Sequence, residues 1–263
     1  MNIEEIIKTR RSVRTFDGKN ILPEHKEKLC DYIKTIENPY DIPVEFVLLD
    51  AEEYGLSSPV IKGDTLYVAA KAPKIPHSEE AFGFSFEKLV LYAWSLGIGT
   101  TWIGGTMNRE RFEKAAEVKE NERMICVSPL GYPAEKMSIK EIAMRKGVKA
   151  DIRKSREELF FDGDFSKPLE ISDKKIENAL EMVRYSPSAV NMQPWRTVKD
   201  GNAFHFYVKH NKGYISEKTG DLQKVDMGIA LCHFMSVTDG KFAISDPHIA
   251  HRQDIEYIAT VIL

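Results

Sequence analysis

The sequence contains only three cysteines, and they lie far apart, at Cys30, Cys126 and Cys232. They form no Cys-x-x-Cys pair and no cluster with histidine, and an odd number cannot be fully paired within one chain. This pattern argues against a disulfide framework and against a zinc site built on thiolates. We interpret the three side chains as reduced thiols that act as small buried hydrophobic groups in a cytoplasmic protein.

The sequence also lacks an excess of positive charge. Its 37 Lys and Arg residues stand against 40 Asp and Glu residues, which gives a net charge of -3. Proteins that bind along the phosphate backbone of a nucleic acid need a basic surface, so a nucleic-acid partner is not expected. The 263 residues, of which 43% are apolar and 29% charged, are enough for one large domain or two small ones.

Nucleotide-binding and metal-binding motifs are missing as well. No Gly-x-Gly-x-x-Gly follows a predicted strand, and no Gly-x-x-x-x-Gly-Lys-Ser/Thr is present. His248 and His251 have a spacing that could ligate a metal, but no third ligand stands at a recognisable distance along the chain. We interpret this pair as part of a surface turn and expect no metal.

No segment reads as an export signal or a membrane span. The N-terminus, "MNIEEIIKTRRSVR", is charged from its fourth residue and lacks the apolar core of a signal peptide. Residues 89–108 carry no charge over 20 residues, long enough to cross a bilayer, but Gly97, Gly99, Gly104 and Gly105 interrupt them. This stretch predicts a buried helix, a glycine stop and a short strand at "TTWIGG", and no membrane partner.

The remaining patterns predict a mixture of helices and strands that occurs twice. The first series has two short helices, strands at "VEFVLLD" and "TLYVAAKA", the uncharged helix, a charged helix "RERFEKAAEV" and a strand "MICVSPLGYP". The second series has a helix "SDKKIENALEMVRY", a hairpin around "DG" at 200–201, a helix "DMGIALCHFMSV" and a strand "EYIATVIL". Residues 137–161 between them are charged and without clear pattern, which favours a surface connection.

Some residues repeat in the same order in both series. The pairs Ser95 and Ser236, Gly99 and Gly240, and Ile103 and Ile244 are each separated by 141 residues. Similar residues at a constant spacing are the signature of an internal repeat. We therefore predict two degenerate half-repeats, residues 1–147 and residues 148–263.

The stretch "RRSVRTF" at 10–16 places Arg10, Arg11, Ser12 and Arg14 at the end of the first helix. Guanidinium groups are planar and permanently charged, and they suit phosphates and the carbonyl edge of a ring. Taken alone, the motif could equally be a solvated basic helix end.

A second polar stretch, "SPSAVNMQPW" at 186–195, directly follows an amphipathic helix. It contains Ser186, Pro187, Ser188, Asn191 and Gln193. Short polar side chains on a backbone fixed by proline can bring hydroxyl and amide groups close to a ligand, although a plain helix end and turn would use the same residues.

Together the two stretches resemble the nitroreductase-like flavoprotein family, whose members carry RRSxRxF and PSxxNxQPW motifs. The resemblance covers nearly the whole chain. It implies an α+β fold, a homodimer, and an FMN between two subunits, one of which supplies the arginine motif and the other the PSxxN loop. In this sequence the first half reads "IENPYDIPVEF" where the PSxxN loop is due, and the arginine motif of the second half is reduced to "RKSREELFF".

The two halves are therefore complementary, as in a fused branch of that family. We expect them to pack as an internal pseudo-dimer, each with a mainly antiparallel sheet and flanking helices. Arg10, Arg11, Ser12 and Arg14 would then meet the 186–193 stretch and form one FMN site per chain. The active unit would be a monomer.

Further positions follow from the resemblance alone. It implies that Gly104 and Gly105 of "WIGG" lie beside the flavin N5, where missing side chains let backbone N–H groups approach the ring, although Gly-Gly is also common in turns. It places Lys62 near the flavin N1 and O2. One basic residue after "GYP" would pair with the phosphate, and the candidates are Lys136, Lys140 and Arg145.

The function implied by the resemblance is an FMN-dependent oxidoreductase of nitroreductase type. NADH or NADPH would be the transient donor, and a small nitroaromatic or quinone-like molecule the acceptor. Because the flavin carries the chemistry, no side chain is expected to be catalytic. Fold does not determine reaction, so dehalogenation, flavin breakdown and a non-catalytic flavin-binding relative remain alternatives.

Overall fold

A computed structural model describes residues 1–250 and 252–263. The helices are α1 (Ile3–Thr9), α2 (Pro23–Ile33), α3 (Ser78–Ser95), α4 (Arg109–Ala115), α5 (Ile139–Gly147), α6 (Arg156–Leu159), α7 (Lys174–Tyr185) and α8 (Leu222–Met235). The strands are β1 (Glu45–Asp50), β2 (Leu66–Pro73), β3 (Glu122–Arg123), β4 (Val127–Leu130), β5 (Phe160–Asp162), β6 (Trp195–Asp200), β7 (Ala203–Lys209), β8 (Ile215–Ser216), β9 (Gly220–Asp221), β10 (Lys241–Ala243) and β11 (Ile255–Ile262).

The two short N-terminal helices begin where their sequence signals lie. Asn2 caps α1, since its side chain accepts a hydrogen bond from the Glu5 backbone while the Glu5 carboxylate accepts one from Asn2. Helix α2 starts at Pro23, a residue that suits the first helical position because its missing N–H has no partner there. Asp173 caps α7, because its side chain accepts a hydrogen bond from the backbone N–H of Lys175.

The first sheet comes from residues 45–130. Strand β2 pairs antiparallel with β1, β3 and β4, and its residues from Leu66 to Ala72 are buried. The central position of β2 explains its nearly continuous apolar sequence, because both faces are covered.

The second sheet comes from residues 160–262 and has the order β10-β11-β7-β6-β5. Its pairs are antiparallel except β5 and β6, which are parallel. Strands β6 and β7 form the predicted hairpin, and Gly201 takes the positive φ of 55° that its turn requires. The α+β class and the mainly antiparallel sheets are confirmed, while the division of the chain at residue 147 stays a prediction.

Helices α3 and α8 are mostly buried and cross each other closely. A Cβ on Gly83 would overlap the carbonyl oxygen of Val225, and a Cβ on Gly228 would overlap that of Glu80. Each glycine thus faces the carbonyl of the residue three positions before the other glycine. The contact is reciprocal, and it requires glycine on both helices.

The uncharged stretch 89–108 was assigned correctly at its start and wrongly at its end. Its first part belongs to the buried helix α3, which stops before Gly97 as predicted. The predicted strand at "TTWIGG" is wrong, because this segment makes only isolated bridges, such as Ile103 with Val127.

Within the described ranges, no helix is both long enough and apolar enough to cross a membrane. His248 is described, but its predicted turn partner His251 lies outside the described residues.

Candidate functional site

A cavity of about 340 Å³ lies where distant parts of the chain meet. Its walls come from parts of residues 10–14, 101–105 and 187–191, and from the face of α8 between Leu222 and Ile229. The 144–153 segment contributes Met144, Arg145, Val148, Ala150, Asp151 and Arg153. This volume falls within the range of small-molecule sites, roughly 300–1,000 Å³. The two polar stretches singled out in the sequence therefore line the same cavity.

The lining of the cavity is strongly cationic. Its arginines are Arg10, Arg11, Arg14, Arg145 and Arg153. Asp151 pairs with Arg145, and Arg11 lies 3.2 Å from Glu141. Across residues 1–250 and 252–263, no carboxylate lies within ion-pair distance of Arg14, and burial lowers the pKa of its guanidinium. The cavity therefore has a net positive charge that suits an anionic ligand.

Arg10 is held by a network of buried groups behind the cavity. Its Nε lies 3.6 Å from Oε1 of Glu87, and the Arg10 side chain is only 5% exposed. Oε2 of Glu87 accepts a hydrogen bond from Nε1 of Trp102 at 3.3 Å. Burial lowers the pKa of Arg10, and the nearby Glu87 opposes this shift. The arginine therefore keeps its charge near a ligand because a fixed carboxylate lies behind it.

Glu87 is fixed in turn by α8. Nδ1 of His233 lies 2.9 Å from the carbonyl of Met182, which can only accept, so Nδ1 carries a proton. Nε2 of His233 lies 2.9 Å from Oε1 of Glu87, and both groups are fully buried. A further proton must lie between these two atoms, because two bare acceptors would repel each other. This pair connects α3, α8 and the arginine motif.

The 186–193 stretch forms a strained turn beside the arginines. Val190, Asn191 and Gln193 have positive φ angles of 43°, 61° and 52°. A positive φ is a rare conformation for valine, and such strain persists where surrounding contacts enforce it. Here Oγ of Ser188 accepts a hydrogen bond from the Gln193 backbone at 2.9 Å, and Nδ2 of Asn191 donates to the carbonyl of Lys149 at 2.7 Å.

Asp226 of α8 also lines the cavity, at its more apolar side. Both carboxyl oxygens accept from the backbone N–H of Ala189, at 3.0 and 3.2 Å. The residue is 3% exposed, and burial raises the pKa of its carboxyl well above the usual range, although the hydrogen bond from Ala189 opposes this shift. Asp226 therefore positions the turn, and burial favours its protonated form more in the folded chain than in the unfolded one.

This burial predicts a pH-dependent effect for Asp226→Asn. A pKa raised by folding contributes stability that is complete below the unfolded value, about 3.9, and is lost as pH rises through the folded value. The asparagine amide stays neutral and can still accept from Ala189. In urea unfolding of the flavin-free chain, we expect the variant to be about 2 kcal/mol more stable at pH 8 and nearly unchanged at pH 4. The exposed Asp151→Asn is the control, and a gain of the same size at both pH values would contradict the assignment.

The glycine pair also lines the cavity. A Cβ on Gly104 would lie 3.4 Å from Sγ of Cys126 and 3.8 Å from Leu222, whereas a Cβ on Gly105 would meet nothing within 4 Å. Nη2 of Arg109 donates to the Gly104 carbonyl at 2.7 Å and fixes the turn. Burial raises the pKa of the Cys126 thiol to about 12, so the thiol stays protonated at neutral pH.

Comparison with known proteins gives the family. A model described as "Putative TM nitroreductase" matches residues 2–237. The chain belongs to this nitroreductase family.

Several individual proteins are similar to this family member. A Methanothermobacter thermautotrophicus protein named "Putative NADH dehydrogenase/NAD(P)H nitroreductase" is 25% identical over 158 residues, which cover 54% of this chain and 83% of that protein. A solved nitroreductase structure from Thermotoga maritima, described as putative, covers 100% of this chain and 94% of its own at 21% identity, with a TM-score of 0.63. An FMN-dependent nitroreductase from Clostridium difficile R20291 covers 51% of this chain and 88% of its own, with 18% identity and a TM-score of 0.44.

Most of the residues predicted for the nitroreductase site line the cavity. They are Arg10, Arg11, Ser12, Arg14, Gly104, Gly105, Arg145, Pro187, Ser188 and Asn191. Of the three candidates after "GYP", only Arg145 does so, whereas Lys136 does not, and Lys140 donates to the carbonyl of Pro59.

Three other predicted residues lie behind or beside the cavity. Lys62 joins the arginine motif through its backbone, since its N–H donates to Arg14 at 3.0 Å and its carbonyl accepts from Phe16 at 2.8 Å. Ser186 is fully buried, and its Oγ has no hydrogen-bond partner in the described part of the chain. Gln193 lines a neighbouring cavity. Its Oε1 accepts a hydrogen bond from the Lys154 N–H, and its Nε2 donates to the carbonyl of Ile152.

The sequence reasoning missed the role of residues 139–153. The segment lies at the surface as predicted, since only Glu141 of residues 139–153 is buried, but it is not without structure, because α5 and the following turn form one wall of the cavity. One signal was available: Ser138 precedes Glu141 by three residues, and its side chain caps α5 by accepting from the Glu141 backbone at 3.2 Å. Asp226 was also missed, and its signal was the single carboxylate of the mostly apolar helix α8.

Proposed function

We propose that the cavity binds FMN and that the chain is an FMN-dependent oxidoreductase of nitroreductase type. The observation that carries the proposal is the meeting of residues 10–14 with residues 187–191 in one cavity. The relative from Methanothermobacter thermautotrophicus, whose name contains NAD(P)H nitroreductase, supports the same reaction class.

The residues present fit this cofactor. FMN combines a flat, largely apolar ring with an anionic phosphate, and the cavity combines an apolar face on α8 with five arginines. The Nε atom of Arg153 is buried and has no hydrogen-bond partner among the described residues. Such groups need an acceptor, and the polar edge of a flavin or its phosphate offers several.

Each group of residues has its own task in this proposal. Trp102, Val225 and Ile229 exclude water from the ring, and Gly104 leaves its edge open to backbone groups. Arg10 and Arg14 stabilise negative charge, and Arg11 or Arg145 pairs with the phosphate. When bound, the flavin supplies hydride transfer between NADH or NADPH and a small nitroaromatic or quinone-like acceptor.

We also propose that residues 1–147 and 148–263 pack as the two subunits of a relative would. The reciprocal contact of Gly83 and Gly228 supports this, because an isologous interface makes each contact twice between equivalent residues. These two glycines are 145 positions apart (228 − 83), so the helices match in a register four residues longer than the 141-residue spacing of the sequence pairs. Residues 10–14 and 104–105 come from the first half and residues 187–191 from the second. The active unit is then a monomer in the cytoplasm.

The stoichiometry of released flavin tests this proposal. We expect one FMN per chain after saturation and denaturation, because each half supplies what the other lacks. Light scattering should show a monomer of 30.0 kDa at micromolar concentration. Two FMN per chain, or a dimer that loses its flavin on dissociation, would contradict the internal site.

Consumption of NAD(P)H with nitroaromatic or quinone acceptors then tests the reaction, and a flavin-loaded chain inactive with both classes would point to another reaction.

A further inference from the structure

A second cavity, of about 440 Å³, adjoins the first. The two share the wall formed by Val148, Arg153, Val190 and Asn191. The remaining lining of the second cavity comes mainly from residues 147–154, with Glu158 and Gln193. A ligand in the second cavity would therefore lie next to one in the first, across a wall a few side chains thick.

The charge of this second cavity is unbalanced. Lys149, Arg153 and Lys154 line it, against the single carboxylate Glu158. For all three cations, no carboxylate of the described residues lies within ion-pair distance. Nearby Arg156, by contrast, forms an ion pair with Glu177 at 2.6 Å. The three cations therefore have no acidic partner among the described residues.

The surroundings of Lys154 add to this positive charge. Burial lowers the pKa of its ammonium, and Arg196 and Lys209 lower it further, while Glu158 acts in the opposite direction. Arg196 is itself buried, and among the described residues it donates to the backbone carbonyls of Gln193, at 3.2 Å, and Trp195, at 2.6 Å. The folded chain thus places Lys154 near two other cations, and an anion bound among them would reduce their mutual repulsion.

The position of the cations is fixed by the backbone around them. The N–H of Lys154 donates to Oε1 of Gln193 at 2.8 Å, and Nδ2 of Asn191 donates to the carbonyl of Ile152 at 3.0 Å. Nη1 of Arg153 donates to the carbonyls of Ala150 and Ile152, which fixes the guanidinium on this segment. Because these hydrogen bonds already fix the backbone, an anion that binds to this segment loses little affinity to ordering of the chain.

We propose that the second cavity binds a phosphate monoester dianion, and that this group is the 2′-phosphate of NADPH. This inference rests on the proposed function for the identity of the donor. A phosphate monoester carries a charge of about -1.5 to -2 at pH 7, more than either phosphate of a dinucleotide bridge. Several clustered cations favour the denser charge, and an arginine beside a dinucleotide's 2′-phosphate is a known mode of NADP recognition. The donor would be NADPH rather than NADH.

Binding of donor fragments to the FMN-loaded chain tests the site without turnover. In calorimetry at low salt, we expect 2′-phospho-ADP-ribose to bind about tenfold more tightly than ADP-ribose, which corresponds to ~1.4 kcal/mol. Added salt should reduce the difference, because the contacts are ionic. Equal binding of the two fragments would overturn the proposal, and binding of inorganic phosphate as tight as that of 2′-phospho-ADP-ribose would show a general anion site instead.

Three single variants locate the effect. Lys149→Gln and Lys154→Gln should each reduce the preference for the phosphorylated fragment to about threefold or less. Lys146→Gln is the matched control, because Lys146 is exposed on the same segment and does not line the cavity. FMN affinity should be unchanged in all three. Loss of FMN from Lys154→Gln with an intact fragment preference would assign these cations to the flavin phosphate and overturn the inference.

The two proposals can fail separately. A chain that binds the phosphorylated fragment selectively but does not oxidise NADPH would keep the anion site and refute the oxidoreductase function. A chain that oxidises NADH and NADPH equally well and shows no fragment preference would keep the function and refute the site.

Discussion

Gly228→Ala should destabilise the protein by about 3 kcal/mol, which is the upper part of the usual range for an overpacked core. Alanine normally favours a helix interior over glycine by about 1 kcal/mol, so the expected loss has the opposite sign from helix propensity. The reason is that the new Cβ would overlap the carbonyl oxygen of Glu80, and a backbone atom cannot rotate away as a side chain can. Thermal unfolding should show a melting temperature lower by about 6–12 °C.

Gly147→Ala is the control for this prediction. Gly147 also lies in a helix, but a Cβ there would meet nothing within 4 Å, so stability should stay equal or rise slightly. Gly83→Ala should resemble Gly228→Ala, because its Cβ would overlap the carbonyl of Val225. The double variant should cost less than the sum of the two, since one separation of α3 from α8 relieves both overlaps. A fully stable Gly228→Ala would show that the two helices can separate without cost.

Ser188→Trp should abolish FMN retention while the chain remains folded. Ser188 lines the cavity of about 340 Å³, and an indole ring placed there would occupy the space that the cofactor needs. We expect FMN affinity to fall by about 100-fold or more, or ~2.7 kcal/mol. The measurement is fluorescence titration of the flavin-free variant with FMN, with circular dichroism to verify the fold.

Ser188→Ala separates the filling of the cavity from the loss of the hydroxyl. It removes the acceptor for the Gln193 N–H and should cost about 1 kcal/mol of stability, but it leaves the cavity open. FMN should still bind to this variant within a few-fold of the native affinity. If the folded tryptophan variant retained FMN as tightly as the alanine variant, the 187–191 turn would not be at the cofactor site.

Several elements of the fold were predictable because their signals are local. Asn2, Pro23 and Asp173 mark helix starts through contacts within one turn of the chain, and the glycine at 201 marks a hairpin. The segment "TTWIGG" was predicted wrongly because its alternation looked strand-like, whereas pairing depends on a partner strand. In the structure it meets its neighbours only at single bridges.

The amino-acid sequence by itself determined the family, the α+β class and the two polar stretches that meet in the cavity. Those features depend on residue types in fixed order, such as the arginines of "RRSVR" and the short polar residues of "SPSAVN". Only the tertiary structure decided the role of residues 139–153, the burial of Asp226 and the link from Arg10 through Glu87 to His233. Each of these joins residues that are far apart along the chain, 146 positions in the case of Glu87 and His233. Their protonation and charge depend on burial and on partners from other elements, and no local pattern of residues encodes either.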